Sequence, residues 1–336
     1  MKSQFSKGEI VKNYLRKFPN TPSLTIAKKV YAENNADFKD VEDVRTIIRY
    51  QRGLKGKANV DKLKSKEFVV PKYTFENKYK FPKSDGIKPK VMHLPQRDNN
   101  ILMLSDLHIP YHDIKALTVA FDYGKRENIN TVFINGDLLD FYQISRFVNV
   151  ERKRSVKEEL EIAKEFLKVL RDTFPEASLY FLLGNHDIRL QHYLANKAPE
   201  LLDVEEFQLE FLLEADKFGM KVIEDTTLVK IGKLAVTHGH LLIRGIFAPV
   251  SAARGAFLRA KASVLIGHTH KISTHSETDI NSKVVTCYST GCLCELTPAY
   301  NPFGNNFSHG FAHVKVENNG HYKVRNLQII DGELIS

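Results

Sequence analysis

The spacing of hydrophobic positions along this chain changes near residue 100. Before residue 58 they recur at intervals of three and four, the period of an amphipathic helix. A first segment carries Ile10, Tyr14 and Leu15, opened by Ser6 and Glu9 as a capping box and ended by Pro19 to Pro22. A second carries Leu24, Ile26, Ala27, Val30 and Tyr31, with Ser23 as its expected cap and Asn34 and Asn35 at its end. A third runs from about Asp40 to Arg52, with Val41, Val44, Ile47 and Ile48 inward, Arg45, Arg49 and Arg52 outward, and Gly53 as its stop. From residue 100 the pattern alternates instead. Ile101 to Ser105, Thr131 to Asn135, Ser178 to Leu183, Leu234 to Thr237 and Ser263 to Ile266 are short apolar runs of strand length. Helical stretches over Ile114 to Arg126 and Val156 to Arg171 separate the first three, and in the second of these Leu160, Ala163, Phe166, Leu167 and Leu170 share a face. Strand and helix in alternation predict an α/β domain.

The region between these two patterns is rich in lysine and broken by Pro71, Pro82, Pro89 and Pro95. The expected organisation is therefore a helical module over 1–58, a basic linker over 59–98 and an α/β domain over 99–336. In the linker, Tyr73, Phe75, Tyr79 and Phe81 alternate with lysines, an arrangement suited to stacking bases while pairing phosphates, or to covering a neighbouring domain. Charge sharpens the division. Residues 1 to 100 hold 23 Lys and Arg against 11 Asp and Glu, a net of +12, while the remaining 26 against 29 give −3. An asymmetry of this kind suggests that one part touches a polyanion while the other carries a separate task, a solvated basic face being the alternative. The module, with its basic last helix, resembles a helix-turn-helix DNA-binding domain, in which Arg45, Arg49 and Arg52 would face nucleic acid, while a trihelical bundle that contacts protein is the alternative.

Charged residues at 26% and hydrophobic ones at 43% are ordinary for a folded soluble chain. No apolar run is long enough to span a membrane, and the opening residues have no secretory apolar core. Cys287, Cys292 and Cys294 are too few and too clustered for a disulfide framework and lack the usual Cys-x-x-Cys zinc spacing. They read as ordinary thiols in a reducing cytoplasm.

Each of the five apolar runs leads into a cluster of metal-ligand residue types. In order these are Asp106-Leu107-His108, Gly136-Asp137-Leu138-Leu139-Asp140, Gly184-Asn185-His186-Asp187, His238-Gly239-His240 and Gly267-His268-Thr269-His270. Strand ends in an α/β sheet converge, so clusters distant in sequence can meet. Mixed nitrogen and oxygen donors suit Mn²⁺, Fe²⁺ or Zn²⁺ rather than Ca²⁺. Taken together and in this order, the five motifs resemble those of the calcineurin-like metallophosphoesterase superfamily. The narrower likeness is to phage-type members, which can carry an N-terminal helical module and a Cys-rich segment like Thr290 to Cys294.

The resemblance implies a sandwich of two mixed β-sheets flanked by helices. It also implies two divalent ions, manganese foremost with iron or zinc as the other candidates, and hydrolysis by a metal-bound hydroxide. By motif position, Asp106, His108 and His270 would hold one ion, Asn185, His238 and His268 the other, and Asp137 would bridge. His186 would serve the leaving oxygen, oriented by Asp140. Arg146 and Arg189, which follow the second and third motifs, are candidate phosphate contacts. Phe141 stands where the protein-phosphatase branch has arginine, which disfavours a dedicated protein phosphatase. The expected activity is phosphoester hydrolysis on nucleic acid, by a nuclease or an end-processing phosphodiesterase or phosphatase. The alternatives are a phosphatase or cyclic-nucleotide phosphodiesterase for small substrates, and a DNA-binding regulator whose metal domain is vestigial. Oligomeric state is not legible.

Overall fold

The structure, a computed structural model, describes residues 4–70, 77, 79–84, 86, 88–145, 155–243, 250–298 and 305–335. The chain divides into two compact units, residues 1–85 and 86–336.

The first unit consists of α1 (Lys7–Lys17), α2 (Ser23–Glu33), α3 (Val41–Gln51) and the single turn α4 (Lys57–Asp61). The capping box forms as expected: Ser6 Oγ accepts from the Glu9 N–H, and Glu9 Oε2 from the Ser6 N–H. Asp40 caps α3 in the same way, accepting from the Asp43 N–H at 2.7 Å. Ile10, Val11 and Leu15 meet Ile26, Ala27, Val30, Val44 and Ile48 in a core that belongs to this unit. Two expectations are corrected. Pro22, not Ser23, occupies the cap position of α2, and the Ser23 hydroxyl accepts from Arg52 at 3.1 Å. Arg52 itself is buried, 8% exposed, rather than outward. Its guanidinium also donates to the carbonyls of Pro19 (2.9 Å) and Thr21 (2.8 Å). The physical reason is the helical period: Val44, Ile48 and Arg52 are spaced by four, so Arg52 continues the inward face and supplies donors to a turn whose carbonyls lie beyond α1. Arg45 pairs with Glu42 at 3.1 Å, and Arg49 is part-exposed.

The second unit begins with β1 (Val91–His93), β2 (Asn100–Leu104), α5 (Ile114–Arg126), β3 (Thr131–Asn135), α6 (Val156–Thr173) and β4 (Ser178–Leu182). It continues through α7 (Arg189–Lys197), α8 (Leu209–Leu212), β5 (Met220–Ile223), β6 (Leu228–Ile231), β7 (Leu234–Val236), α9 (Ala252–Ala260) and β8 (Val264–Ile266). Last come β9 (Ile272–Thr278), β10 (Val284–Thr290), β11 (His309–Val316), β12 (Tyr322–Ile330) and β13 (Glu333–Ile335). The stretch 59–98 is thus shared: α4 closes in the first unit, and β1 pairs in parallel with β6 in the second. Within that stretch, Tyr73 and Phe75 lie outside the described residues, while Tyr79 and Phe81 are 69% and 67% exposed and cover no core.

Two mixed sheets form, seven strands in the order β13-β12-β11-β2-β3-β4-β5 and six in the order β1-β6-β7-β8-β10-β9. The alternation of side chains along β2 explains their stacking. Ile101 and Met103 point to the other sheet, joining Phe133, Tyr180 and Leu182 against Val229, Ile231, Val236 and Leu265. Leu102 and Leu104 point the other way, into a core shared with Ala116 and Ala120 of α5 and Ala163, Leu167 and Leu170 of α6. The outer face of the second sheet is covered by α9 through Ala252, Ala253 and Ala256. The result is the expected sandwich of two mixed sheets flanked by helices, and among the described residues no helix is long and apolar enough to cross a membrane.

Candidate metal centre

All five motif clusters follow directly on strands: Asp106, Asp137 and Asn185 on β2, β3 and β4 of one sheet, and His238 and His268 on β7 and β8 of the other. The two sheets deliver them to one place. Asp106 Oδ1 lies 3.3 Å from His270 Nε2, and His270 Nε2 lies 3.0 Å from His108 Nε2. Asp137 Oδ2 lies 3.1 Å from His238 Nε2 and 3.7 Å from His108 Nε2. Asn185 Oδ1 is 3.2 Å from the same His238 nitrogen. Donor atoms collect in three adjoining groups, Asp106 with His108 and His270, His108 with Asp137 and His186, and Asp137 with His238 and His268, and a fourth joins His270 to Cys292 and Cys294. Asp137 is common to the second and third. Its Oδ1 accepts the His186 N–H at 2.8 Å, which leaves Oδ2 to face His238 and His108.

The backbone is bent to achieve this. Asp106, His108, Asp137, His268 and His270 all have φ between +48° and +66°. The left-handed region costs a non-glycine residue about 1–2 kcal/mol, and five such residues in one pocket mark a site held against its own conformational preference. Glycine is required beside them. A Cβ on Gly184 would fall 2.2 Å from Asp137 Oδ1, and one on Gly136 2.2 Å from His238 Nδ1.

The electrostatics fit cations. Asp106 and Asp137 are buried, which disfavours their charge, yet the facing histidines hold both carboxyls below the usual range. Burial likewise works against protonation of His238 and His270, and the charges of Asp137 and Asp106 overturn it, pushing both up to about 10. His268, with less compensation, is pushed down to about 4 by burial and the His238 charge. Protons on His238 and His270 stand where a divalent ion would accept the same lone pairs. A buried cluster with several carboxylates and convergent imidazole nitrogens, strongly favouring positive charge, is the donor set of a transition-metal site.

The outer partners orient the rings. His108 Nδ1 and His186 Nδ1 lie 2.9 and 3.1 Å from the same Asp140 oxygen, and His238 Nδ1 lies 2.7 Å from the Asn135 carbonyl. Asp140 thus lies within hydrogen-bond reach of both His186 and His108. Arg189 donates to the Asp140 carbonyl (2.7 Å) and approaches His186 Nε2 (3.0 Å), so its guanidinium is at the site. Arg146 lies outside the described residues. The nucleic-acid candidates Arg45, Arg49 and Arg52 belong to the first unit and are not part of this cluster.

Two residues support the site from behind, Asp187, which stands in the third motif, and Glu159, which no motif marks. Asp187 accepts the N–H groups of Asp137 (2.7 Å), Leu139 (3.0 Å) and Gly184 (2.7 Å), tying the second motif to the third. Glu159 of α6 is buried and accepts the N–H of Phe141, whose φ of +49° turns the chain after Asp140. The signal for Glu159 was present in the helix: residues 159, 163, 166 and 170 share one face, so an acid interrupts an apolar stripe.

With this geometry in place, comparison with known proteins gives the class. The model of the calcineurin-like phosphoesterase family matches residues 100–286, and the chain belongs to that family. It is a metal-dependent phosphoester hydrolase rather than a regulator with a vestigial metal domain. A curated relative, the gene 54 protein of Mycobacterium phage L5, is 31% identical over 243 residues, covering 69% of this chain and 94% of the relative. Among solved structures, a single mutant of Vps29 from Entamoeba histolytica is 19% identical, covering 70% of this chain and 96% of that one, with a TM-score of 0.37. The phosphoesterase YfcE from E. coli is 15% identical over 70% and 97% of the two chains, with a TM-score of 0.35.

Proposed function

We propose that this hydrolase acts on nucleic acid, as a nuclease or an end-processing phosphodiesterase or phosphatase, using two divalent ions of which manganese is the foremost candidate. Asp106, His108 and His270 would hold one ion and Asn185, His238 and His268 the other, with Asp137 Oδ2 between them. Bound there, such ions activate water for attack at phosphorus and neutralise charge on the phosphoryl oxygens. The protein's own part is to receive the leaving oxygen. His186 is held through Nδ1 by Asp140, leaving Nε2 as the atom that delivers a proton. Arg189, which covers that nitrogen, would exchange it for a substrate phosphate oxygen and so couple phosphate binding to release of Nε2.

The observation that carries the substrate class is the division of charge between two separately cored units. Residues 1–85 hold 20 Lys and Arg against 10 Asp and Glu, and residues 86–336 hold 29 against 30. A near-neutral catalytic unit has little general attraction for a polyanion, so polymer affinity belongs to the first unit. Arg45 and Arg49 on α3, followed by Lys55, Lys62, Lys64 and Lys66, would supply its phosphate contacts.

The test is an Mn²⁺-supplemented panel of a generic monoester, a generic diester, cyclic nucleotides, and single- and double-stranded DNA and RNA. The full chain is compared with one beginning at residue 86, which keeps β1. Both are expected to hydrolyse the small diester alike, with the shorter chain binding and cleaving polymer far more weakly across a salt series. Turnover of small monoesters alone, or equal polymer binding by both chains, would overturn the nucleic-acid reading.

A further inference from the structure

Asp106 and His270 come from different sheets, yet one three-residue segment backs both. The Leu293 N–H donates to the Asp106 carbonyl (3.1 Å), and the Cys294 Sγ lies 3.9 Å from His270 Nδ1. The segment is firmly held. Cys292 N–H donates to the Ser308 carbonyl (3.0 Å), Asp113 N–H to the Leu293 carbonyl (2.9 Å), and His309 Nε2 lies 2.8 Å from the Cys294 carbonyl. Ser308 N–H in turn donates to the carbonyl of His270 (2.8 Å), and the Phe307 ring packs on the His270 ring with centroids 4.2 Å apart. Cys294 is 2% exposed and His270 8%, so bulk water does not compete for the contact between them.

A neutral imidazole carries one N–H. With Nε2 turned toward Asp106 and His108, a lone pair can be offered to a cation there only if the proton resides on Nδ1, where the Cys294 sulfur is placed to receive it. The other outer contacts are to oxygen, from His108 to the Asp140 carboxylate and from His238 to the Asn135 carbonyl. Sulfur is a weaker acceptor than either.

We propose that Cys294 is a positioning residue for His270, fixing its Nδ1–H tautomer and ring orientation. This rests on the assignment of His270 as a ligand, and the experiment separates the two. Calorimetric Mn²⁺ titration of the metal-free full chain is compared among wild type, Cys294→Ala, Cys294→Ser, Cys292→Ala and His270→Ala. Cys294→Ala is expected to weaken one of two binding events roughly 10- to 100-fold and leave the other unchanged. Cys294→Ser, which restores an acceptor, should recover most of that loss, and Cys292→Ala should change neither event more than about threefold. If His270→Ala keeps both events at wild-type strength, the ligand assignment fails. If His270→Ala loses one event and Cys294→Ala loses none, the positioning role alone fails. A third equivalent of Cd²⁺ with thiolate charge-transfer absorption that disappears in Cys292→Ala would also overturn it, because the thiols would then be ligands themselves. Should Cys294→Ala not fold, imidazole ¹⁵N correlation spectra of the Zn²⁺-loaded wild type decide: a His270 Nδ1–H tautomer is expected, and an Nε2–H tautomer overturns the proposal.

Discussion

Arg52 offers a sharp test of how the first unit is built, because sequence placed it among nucleic-acid contacts and the structure uses it as a brace. Its guanidinium makes three hydrogen bonds, to Ser23 Oγ, the Pro19 carbonyl and the Thr21 carbonyl, and so ties the end of α3 to the turn between α1 and α2. Hydrogen bonds from a charged donor contribute about 1.5–3 kcal/mol each before the donor's own burial is counted. That burial has a cost, visible as a guanidinium pKa pushed down by desolvation. The net loss in Arg52→Ala should be about 2–4 kcal/mol, against the roughly 4–13 kcal/mol expected of an 85-residue unit. Hydrogen exchange followed by mass spectrometry reads this locally. Amide protection across α2 and α3 should fall by roughly 30- to 1000-fold, the equilibrium factor for that energy. Arg52→Lys, with a point donor in place of a fork, should lie between. In Arg49→Ala, by contrast, protection should stay and nucleic-acid affinity should drop. Unchanged protection in Arg52→Ala with weakened nucleic-acid binding would refute the bracing role.

Burial, with the Asp140 charge adding, pushes the Glu159 carboxyl up to about 8. The folded state keeps a proton that the unfolded chain releases near 4.5, so this contribution to stability is complete below pH 4.5 and is lost as pH rises through 8, at up to about 1.4 kcal/mol per pH unit. Denaturation midpoints at pH 5.5 and 8 should therefore differ less in Glu159→Gln than in wild type; identical slopes would contradict this. His186→Asn should retain both ions yet slow esters with poor leaving groups by roughly 10²–10⁴, with activated aryl esters affected much less; equal losses would assign His186 to phosphate positioning. In Asp137→Asn the amide oxygen can still accept the His186 N–H, but an NH₂ then faces His238 and His108. Elemental analysis should find fewer than two ions per chain and kinetics a loss of most activity; two ions with near-normal turnover would contradict the bridging assignment.

The candidate site was legible because its chemistry is written in contiguous motifs, each placed after an apolar run that becomes a strand. The apolar runs that become β3 and β8 end with their strands and the other three end one residue later, so the clusters holding Asp106, Asp137, Asn185, His238 and His268 were located by pattern. Residues that act across the fold were not. Asp187 stands in the third motif, but its role shows only where the Asp137, Leu139 and Gly184 amides converge on it, and Cys294 has no spacing signal because its partner His270 is 24 residues away. Arg52 shows the opposite failure. Its charge suggested the surface, whereas its spacing of four from Ile48 already placed it inward, and the inward position was affordable because carbonyls awaited it there. The sandwich of two sheets came from family resemblance, since strand pairing such as β11 against β2 joins segments some 200 residues apart and leaves no periodic trace.

The central claim, two ions held between two sheets with Asp137 shared, is met most directly by anomalous diffraction from Mn²⁺-grown crystals of the full chain. Two peaks are expected about 3.5–4 Å apart, one against Asp106, His108 and His270, the other against Asn185, His238 and His268, with the Asp137 carboxylate contacting both. A single peak, or a pair in which Asp137 touches neither or only one, would contradict it.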